Sequence, residues 1–473
     1  MKNKIKKIHF IGICGSAMGS VAAMLKEAGY DVQGSDNELY PPMSDYLKIS
    51  GIKTFSSFSK ENITDDVDLV VVGNAVSRGN VELEHILDKK IRFASFPEIL
   101  REFFIRGKTS IVVTGTHGKT TTSSLVSWIL KDAGKKVGFL IGGIPLNFGK
   151  GYAYDEGTGG YFVVEGDEYD TAFFDKRSKF MHYFPDVLIL NNLEFDHADI
   201  FKDVNEIKTS FSQVINIVPQ NGVIVANADD DNVREITKKV YSKLVTFSIK
   251  DATADYYAQD IAFSEDLSEF DIVKKGEAIA HIATSLKGEH SVYNILAAFT
   301  ALNVSGISPA EITSAIARFK NVKRRLEKVG EVNGITVYDD FAHHPTAIQK
   351  TIAGVIKSNP DKRVIALFEP KSNTSRRNFF QNEFPFAFKG ADMVVIGKVY
   401  NYEKMSESER LNPFKLVEEI NGTGIPAHYF PNIDELIGFV ADNAKSGDII
   451  LAMSSGSFYG VHKKILAKLQ ERI

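Results

Sequence analysis

Only one of the 473 residues is cysteine, Cys14, so no disulfide can form within the chain. That scarcity fits a reducing compartment. No sign of charge dominates: 56 Lys and Arg against 60 Asp and Glu leave a net charge of −4. Nothing global therefore points to nucleic acid or to an anionic membrane surface, and any acidic ligand must be held by local basic clusters. No hydrophobic run approaches the roughly 18 residues of a membrane span. The basic start, residues 1–7, leads into an apolar stretch broken by His9, Gly12 and Gly15, which reads as strand then loop rather than as a signal peptide. Internal repeats and low-complexity segments are missing too. What is present is an ordinary globular composition, 44% hydrophobic and 25% charged. A cytoplasmic location is the default, and at about 150 residues per domain the length suggests roughly three domains.

Short apolar strands alternate with helical stretches along the chain, the pattern of parallel sheets covered by helices, so the expected class is α/β. In residues 1–107, Ile8-His9-Phe10-Ile11-Gly12 reads as a buried strand. A helix through Met24 and Leu25 stops at Gly29, and strands follow from Val32 to Asp36 and from Asp68 to Gly73. A second unit is expected over 108–321, with strands at 110–113, 161–164, 187–190 and 223–225 and a helix through Trp128 and Leu130. Its residues 251–283 read as a small antiparallel patch, and a helix after His290 closes it. The third unit, 322–473, starts in the basic run 320–328 and carries strands at 336–338, 363–368, 393–396 and 448–453.

The strongest local signal is Val113-Thr114-Gly115-Thr116-His117-Gly118-Lys119-Thr120-Thr121-Thr122. It lies after an expected strand and before an expected helix, the context a phosphate loop requires. Glycines let backbone N–H groups approach phosphate oxygens, and the helix N-terminus adds positive potential. Lys119 can reach terminal phosphates, and the Thr120 hydroxyl suits Mg²⁺. Val113 stands where the general pattern has its first glycine, so Gly115 makes a tighter version. The plain alternative is a glycine-rich turn with a surface lysine.

Gly12-Ile13-Cys14-Gly15-Ser16-Ala17-Met18-Gly19 also follows a strand, but Cys14 and Ala17 break the G-x-G-x-x-G pattern. The loop suggests a nucleotide diphosphate at a helix N-terminus without saying which, and Asp36 is placed to hold a ribose or a base edge. A ligand-free tight turn is the alternative. Glu165-Gly166-Asp167-Glu168-Tyr169-Asp170 and Asn191-Asn192-Leu193-Glu194-Phe195-Asp196-His197 each follow a strand at its ligand end. Glu165 suits Mg²⁺ and His197 a second metal; a solvated acidic loop and a surface histidine are the alternatives.

His290 and Asn294 lie one helical turn apart and share a face, able to read an adenine edge or to cap and pack. His343 and His344 follow Tyr338-Asp339-Asp340; with no cysteine nearby a zinc site is disfavoured, and Asp340 is placed to bond a ribose hydroxyl. The clusters Lys323-Arg324-Arg325 and Lys371 with Arg376-Arg377 match phosphate or carboxylate geometry, or are solvated charge. The run Phe368-Glu369-Pro370-Lys371-Ser372-Asn373-Thr374 suits a loop contacting a polar substrate.

In this order the motifs resemble one family, the ATP-dependent Mur ligases of bacterial peptidoglycan metabolism, over essentially the whole chain. The resemblance is carried by the loop Gly115 to Thr121, Glu165, His197, the His290/Asn294 helix, Arg325 and Asp340. It implies a three-domain α/β architecture. A Rossmann-like N-terminal domain, 1–107, takes a UDP-sugar; a central P-loop ATPase domain, 108–321, takes ATP; and a Rossmann-like α/β domain, 322–473, takes the incoming peptide. Within the family, the Gly15-Ser16-Ala17-Met18-Gly19 loop looks like that of the branch acting on UDP-N-acetylmuramate. Tyr40-Pro41-Pro42-Met43-Ser44, the stretches 167–177 and 191–201, and the Phe368 to Thr374 loop look most like the branch that adds the tripeptide L-alanyl-γ-D-glutamyl-meso-diaminopimelate during cell-wall recycling. Lys371 and Ser375 depart from that branch's loop. The sister branch adding L-alanine alone, for de novo synthesis, is the alternative.

The resemblance also implies roles. Lys119, Glu165 and His197 are the catalytic set, with Mg²⁺ on Thr120, Glu165 and His197. ATP is held by Gly115, Thr116, His117, Gly118, Lys119, Thr120 and Thr121 with His290, Asn294, Arg325 and Asp340. Gly15, Ser16, Met18, Asp36, Asn74, Ser77 and Arg78 face the UDP-sugar. His343, His344, Lys371, Asn373, Thr374 and Arg376 face the peptide. The implied chemistry is an acyl phosphate made from the muramate carboxylate and captured by the peptide's free amine, which requires closure to keep water out. The carbamylated lysine of some members is not placed, because Lys202 and Lys208 follow His197 too closely. Nucleic-acid and membrane partners are not expected, and the chain is expected to be a monomer or weak homodimer. A nucleotide-sensing binding protein is the alternative of another class; the broken dinucleotide pattern counts against it.

Overall fold

Central runs rich in Val, Ile and Leu become strands because both faces of a helix-covered parallel sheet are buried, and shorter mixed strands flank them. The first five are β1 (Lys7–Ile11), β2 (Asp31–Ser35), β3 (Lys53–Phe55), β4 (Leu69–Val72) and β5 (Phe93–Ser95). They form a parallel sheet in the order β3-β2-β1-β4-β5. The order reverses at β1, which opens a ligand crevice at the carboxyl ends of β1 and β4. This is a computed structural model, and it describes residues 5–39 and 43–471. Residues 1–4 of the basic start, and Tyr40, Pro41 and Pro42 of the branch-specific segment, lie outside the described residues.

The chain next builds β6 (Thr109–Thr114), β7 (Val137–Leu140), β8 (Tyr152–Ala153), β9 (Tyr161–Glu165), the hairpin β10 (Asp170–Ala172) and β11 (Asp175–Ser178), β12 (Val187–Leu190), β13 (Val223–Asn227) and β14 (Lys243–Ser248). These order as β14-β13-β12-β6-β9-β7-β8, with β10 and β11 paired apart. All neighbours are parallel except β8 on β7. β6 is flanked by β9 on one side and β12 on the other, so the loop leaving it lies at a second switch point. The register sets Val113 opposite Glu165 and Thr114 opposite Leu190.

Further on, β15 (Tyr256–Phe263), β16 (Ser268–Lys274) and β17 (Glu277–Thr284) form the antiparallel patch expected near 251–283. The last strands are β18 (Glu327–Val332), β19 (Ile335–Asp340), β20 (Val364–Glu369), β21 (Met393–Ile396), β22 (Ala427–Tyr429) and β23 (Ile449–Ser454), in the order β18-β19-β23-β20-β21-β22. Only β18 runs antiparallel. Alternation along β20 is visible in the packing: Val364, Ala366 and Phe368 join the core under helix Pro345–Ser358, whereas Ile365 and Leu367 join the core under helix Ile433–Asn443.

One expectation needs correction. The helix after His290, Glu289–Val304, does not close its region; a second helix, Pro309–Ala317, follows it. Ser308 and Glu311 cap that helix reciprocally, with Ser308 N to Glu311 Oε2 at 3.0 Å and Glu311 N to Ser308 Oγ at 3.3 Å. The chain forms two compact units. One holds residues up to Leu193, Asn205–Phe247 and Ala297–Ala315; the other holds Glu194–Val204, Ser248–Leu296 and everything from Ile316 on. Among the described residues no helix is long and apolar enough to cross a membrane.

Candidate active site

The phosphate-loop segment leaves β6 and enters helix Lys119–Asp132. Two glycines make the turn possible. Gly118 has φ +84, and Gly115 has φ +131 with a would-be Cβ only 3.0 Å from the Asn192 carbonyl oxygen. Any other side chain at Gly115 would be strained and crowded. Asn192 clamps the loop from β12's side. It accepts Thr116 N–H on its carbonyl at 3.1 Å and His117 N–H on Oδ1 at 2.7 Å, and its Nδ2 donates to His117 O at 3.1 Å. Next to it, Asn191 Nδ2 donates to Thr122 Oγ1 at 3.0 Å, and Asn227 Nδ2 holds Asn191 O at 2.8 Å.

Lys119 is folded back on this loop. Its Nζ donates to Gly115 O at 2.7 Å and lies 3.1 and 3.0 Å from the two carboxylate oxygens of Glu168. Burial alone would push the ammonium pKa down, but Glu168 and Asp167 outweigh it and the net shift is up. Lys119 is therefore a cation at neutral pH. Glu165 ends β9 with both oxygens engaged: Oε1 accepts Gly142 N–H at 2.7 Å, and Oε2 accepts the Thr120 hydroxyl at 3.2 Å. Two oxygens so placed suit a small hard cation. Asp167 receives Lys179 Nζ on Oδ2 at 2.6 Å and is held below the usual carboxylate range, the Lys179 charge and hydrogen bond outweighing burial.

In the first sheet, Gly12 turns with φ +82, and Gly12 N and Ile13 N both donate to Ser35 O. Asp36 Oδ2 accepts Cys14 N–H at 2.9 Å, so its carboxylate braces the glycine loop from the end of β2. Gly15 and Ser16 are exposed at the start of helix Ser16–Glu27, and Met18 is buried beneath them. Asn74, Ser77 and Arg78 are exposed on the loop after β4. Arg78 grips Glu84 with Nε and Nη2, each at 2.9 Å. Under the crevice, Glu82 is fully buried: its Oε1 accepts Asn62 Nδ2 at 2.7 Å, its Oε2 accepts the Ser35 hydroxyl, and His9 Nε2 lies 3.3 Å away.

The second unit gathers the histidines. His197 has φ +54, and its N–H donates to Asp196 Oδ1 at 2.7 Å. Asp196 is buried, yet His197, His343 and His344 hold its carboxyl below the usual range. His344 is the N-cap of helix Pro345–Ser358, accepting Thr346 N–H on Nδ1 at 3.2 Å with Nε2 3.1 Å from Phe195 O. His343 Nδ1 lies 2.9 Å from Phe341 O. Asn373 Nδ2 reaches Asp199 Oδ2 at 3.0 Å and Arg376 Nη2 reaches Asn373 Oδ1 at 2.7 Å. Thr374 is buried, and Lys371 Nζ stands 4.8 Å from the centre of the Tyr400 ring.

His290 and Asn294 share a face of helix Glu289–Val304, as the spacing requires. Desolvation, with Lys350 and Arg325 nearby, pushes the His290 imidazole down to about 4, so the ring is neutral at physiological pH. Arg325 lies over Phe341 at 4.9 Å. Its neighbour Arg324 is the buttress, with Nε 3.2 Å from Asp339 and Nη2 donating to Ser454 O at 2.7 Å. Asp340 accepts Leu326 N–H at 2.6 Å and Ala342 N–H at 2.8 Å, and burial raises its carboxyl.

Residues 7–107 match the description "Mur ligase family, catalytic domain", 113–302 the "Mur ligase middle domain" and 324–456 the "Mur ligase, glutamate ligase domain". The chain belongs to the Mur ligase family. Among relatives of this Mur ligase, the UDP-N-acetylmuramate–L-alanyl-γ-D-glutamyl-meso-2,6-diaminoheptandioate ligase of Haemophilus influenzae is 40% identical over 98% of this chain and 100% of its own. The UDP-N-acetylmuramate–L-alanine ligase of Acetivibrio thermocellus is 34% identical over 99% of this chain and 97% of its own. A crystal structure of a murein peptide ligase from Psychrobacter arcticus is 35% identical, covers 98% of each chain and superposes with a TM-score of 0.71. Three residues that sequence reasoning did not assign a role stand out in this Mur ligase: Asn192, Glu168 and Lys179. The Asn191-Asn192 pair directly after β12 was the available signal for the first. Glu168 lay in the acidic stretch after β9, though nothing in the sequence paired it with Lys119; Lys179 carries no signal, because its pairing with Asp167 arises only when the β10–β11 hairpin folds back.

Proposed function

We propose that this Mur ligase spends ATP to join UDP-N-acetylmuramate to the tripeptide L-alanyl-γ-D-glutamyl-meso-diaminopimelate, activating the sugar acid as an acyl phosphate that the peptide amine displaces. The observation that carries the choice of peptide is the near-full-length identity, 40% to the tripeptide ligase against 34% to the L-alanine ligase. In this reading 1–107 holds the UDP-sugar, 108–321 the nucleotide and 322–473 the peptide. The protein works in the cytoplasm as a monomer or weak homodimer, without nucleic-acid or membrane partners.

The residues present fit a nucleotide and a divalent cation. The loop's backbone N–H groups lie at the start of a fourteen-residue helix, a setting that favours phosphate. Lys119, charged and bonded to Glu168, turns to the terminal phosphates and balances their charge. Thr120 and Glu165 hold Mg²⁺, and His197 takes a second ion. When bound, Mg²⁺ offsets the negative charge crowded between phosphate and carboxylate. His290, neutral, offers a ring edge to adenine with Asn294, while Arg325 and Asp340 lie toward ribose and phosphate. Gly15, Ser16, Met18, Asp36, Asn74, Ser77 and Arg78 face the UDP-sugar. His343, His344, Lys371, Asn373, Thr374 and Arg376 face the peptide, and the reaction itself is positioning and charge neutralisation.

Side-by-side assays of phosphate release test the substrate. We expect the tripeptide to be used at least about 100-fold better than L-alanine in kcat/KM, because polar groups built for diaminopimelate are left unpaired by the smaller amine. A preference for L-alanine overturns the reading.

A further inference from the structure

Three carboxylates, Glu165, Asp167 and Glu168, crowd the end of β9 and the turn that follows it. The fold gives each its own partner. Glu165 takes Gly142 N–H and Thr120, Glu168 takes Lys119, and Asp167 takes Lys179. Lys179 comes from beyond the hairpin. Its N–H donates to Tyr169 O at 3.0 Å, and the Ser178 hydroxyl beside it donates to Glu168 O at 2.7 Å. So the chain returns to lie against the acidic segment.

Lys179 is 7% exposed. Its Nζ is 2.6 Å from Asp167 Oδ2, 5.8 Å from the Phe96 ring centre and 5.4 Å from that of Tyr169. A lysine rarely sits so deep unless it is paired. Strip its charge and the partly exposed Asp167 carboxylate loses the cation that stands 2.6 Å from it. The cation that already acts on Asp167 from the phosphate loop is Lys119. Asp167 would then compete with Glu168, and with any phosphate, for one ammonium.

We infer that Lys179 is a positioning residue for the nucleotide: by pairing with Asp167 it leaves Lys119 hydrogen-bonded to one carboxylate, Glu168, from which a phosphate can take it. The inference rests on the reading of the Gly115–Thr121 segment as the nucleotide site. It assigns Lys179 no contact with substrate. The effect passes through Asp167, so removing both charges together should undo what removing one does.

The test is equilibrium titration of the full chain with a fluorescent ADP analogue, alongside steady-state kinetics. Lys179→Met keeps the apolar stem and should weaken ADP-analogue binding at least about tenfold, one pairing interaction's worth. KM for the tripeptide should stay within about twofold. The double variant Lys179→Met/Asp167→Asn should recover binding to within about threefold of wild type, the non-additivity of a charge pair. Wild-type binding by K179M, or no recovery in the double variant, overturns the inference. If K179M fails to fold but the double variant folds and binds, the inference stands; if neither folds, Lys179 is a packing residue and the inference falls. A wild-type protein that does not bind the analogue instead sinks the nucleotide assignment itself.

Discussion

At the scale of single residues, charge bookkeeping around Lys119 decides the chemistry. Its partly buried ammonium is kept protonated by Glu168 and Asp167, so it arrives at a phosphate already charged. Lys119→Ala should abolish ADP release even with both co-substrates saturating; near-normal turnover in that variant would refute the phosphate-loop assignment. His290 behaves in the opposite way. Its folded pKa of about 4 lies below the ordinary 6.5, so between these values the unfolded chain binds a proton that the native one does not. The contribution to stability is whole above pH 6.5 and is lost as pH falls toward 4. Urea midpoints measured across that window should fall less steeply for His290→Gln than for wild type; parallel curves would contradict the assignment. Lys119 was legible from its spacing after a strand and two glycines. The partners of Glu168 and Lys179 were not, because nothing in a charged run says which carboxylate meets Lys119 or that a hairpin brings Lys179 onto Asp167.

At the scale of elements, the phosphate loop is a turn braced from its neighbour strand. The Asn192 side chain makes two of its hydrogen bonds, so Asn192→Ala should raise KM for ATP about tenfold while leaving KM for the peptide alone; an unchanged KM for ATP would show that the side-chain clamp is dispensable. The brace extends to the helix: Trp128 Nε1 donates to Ala315 O at 2.8 Å, tying Lys119–Asp132 to Pro309–Ala317. Helix Pro309–Ala317 went unread although Ser308, Pro309 and Glu311 spell a cap, proline at the first turn and a capping box. The central strands were legible because four consecutive buried apolar residues have no other home in a helix-covered sheet. Edge strands such as β3, β8 and β22 run only two or three residues, too short to carry a period.

At the scale of the whole molecule, the sheets follow the α/β alternation that the sequence displays, and each unit's core is built from residues of alternating facing. Leu367 on β20 is fully buried in one such core. Leu367→Ala should cost about 2–5 kcal/mol of stability by thermal or urea unfolding; a loss below 1 kcal/mol would contradict the packing described. Grouping of Glu194–Val204 with the second unit was not visible beforehand. The loop between β12 and helix Val204–Asn216 carries no periodic signal, and its placement is a matter of tertiary contacts such as Asn373 on Asp199. The resemblance to Mur ligases, by contrast, spans the chain and rests on motifs spread across it.

The central claim is that this chain makes an amide bond at the expense of a triphosphate. Purified protein supplied with ATP, Mg²⁺, UDP-N-acetylmuramate and the tripeptide should yield, by mass spectrometry, the UDP-N-acetylmuramyl-tripeptide with one ADP released per linkage formed. Nucleotide turnover without that product, or turnover indifferent to the sugar acid and the amine, would contradict it.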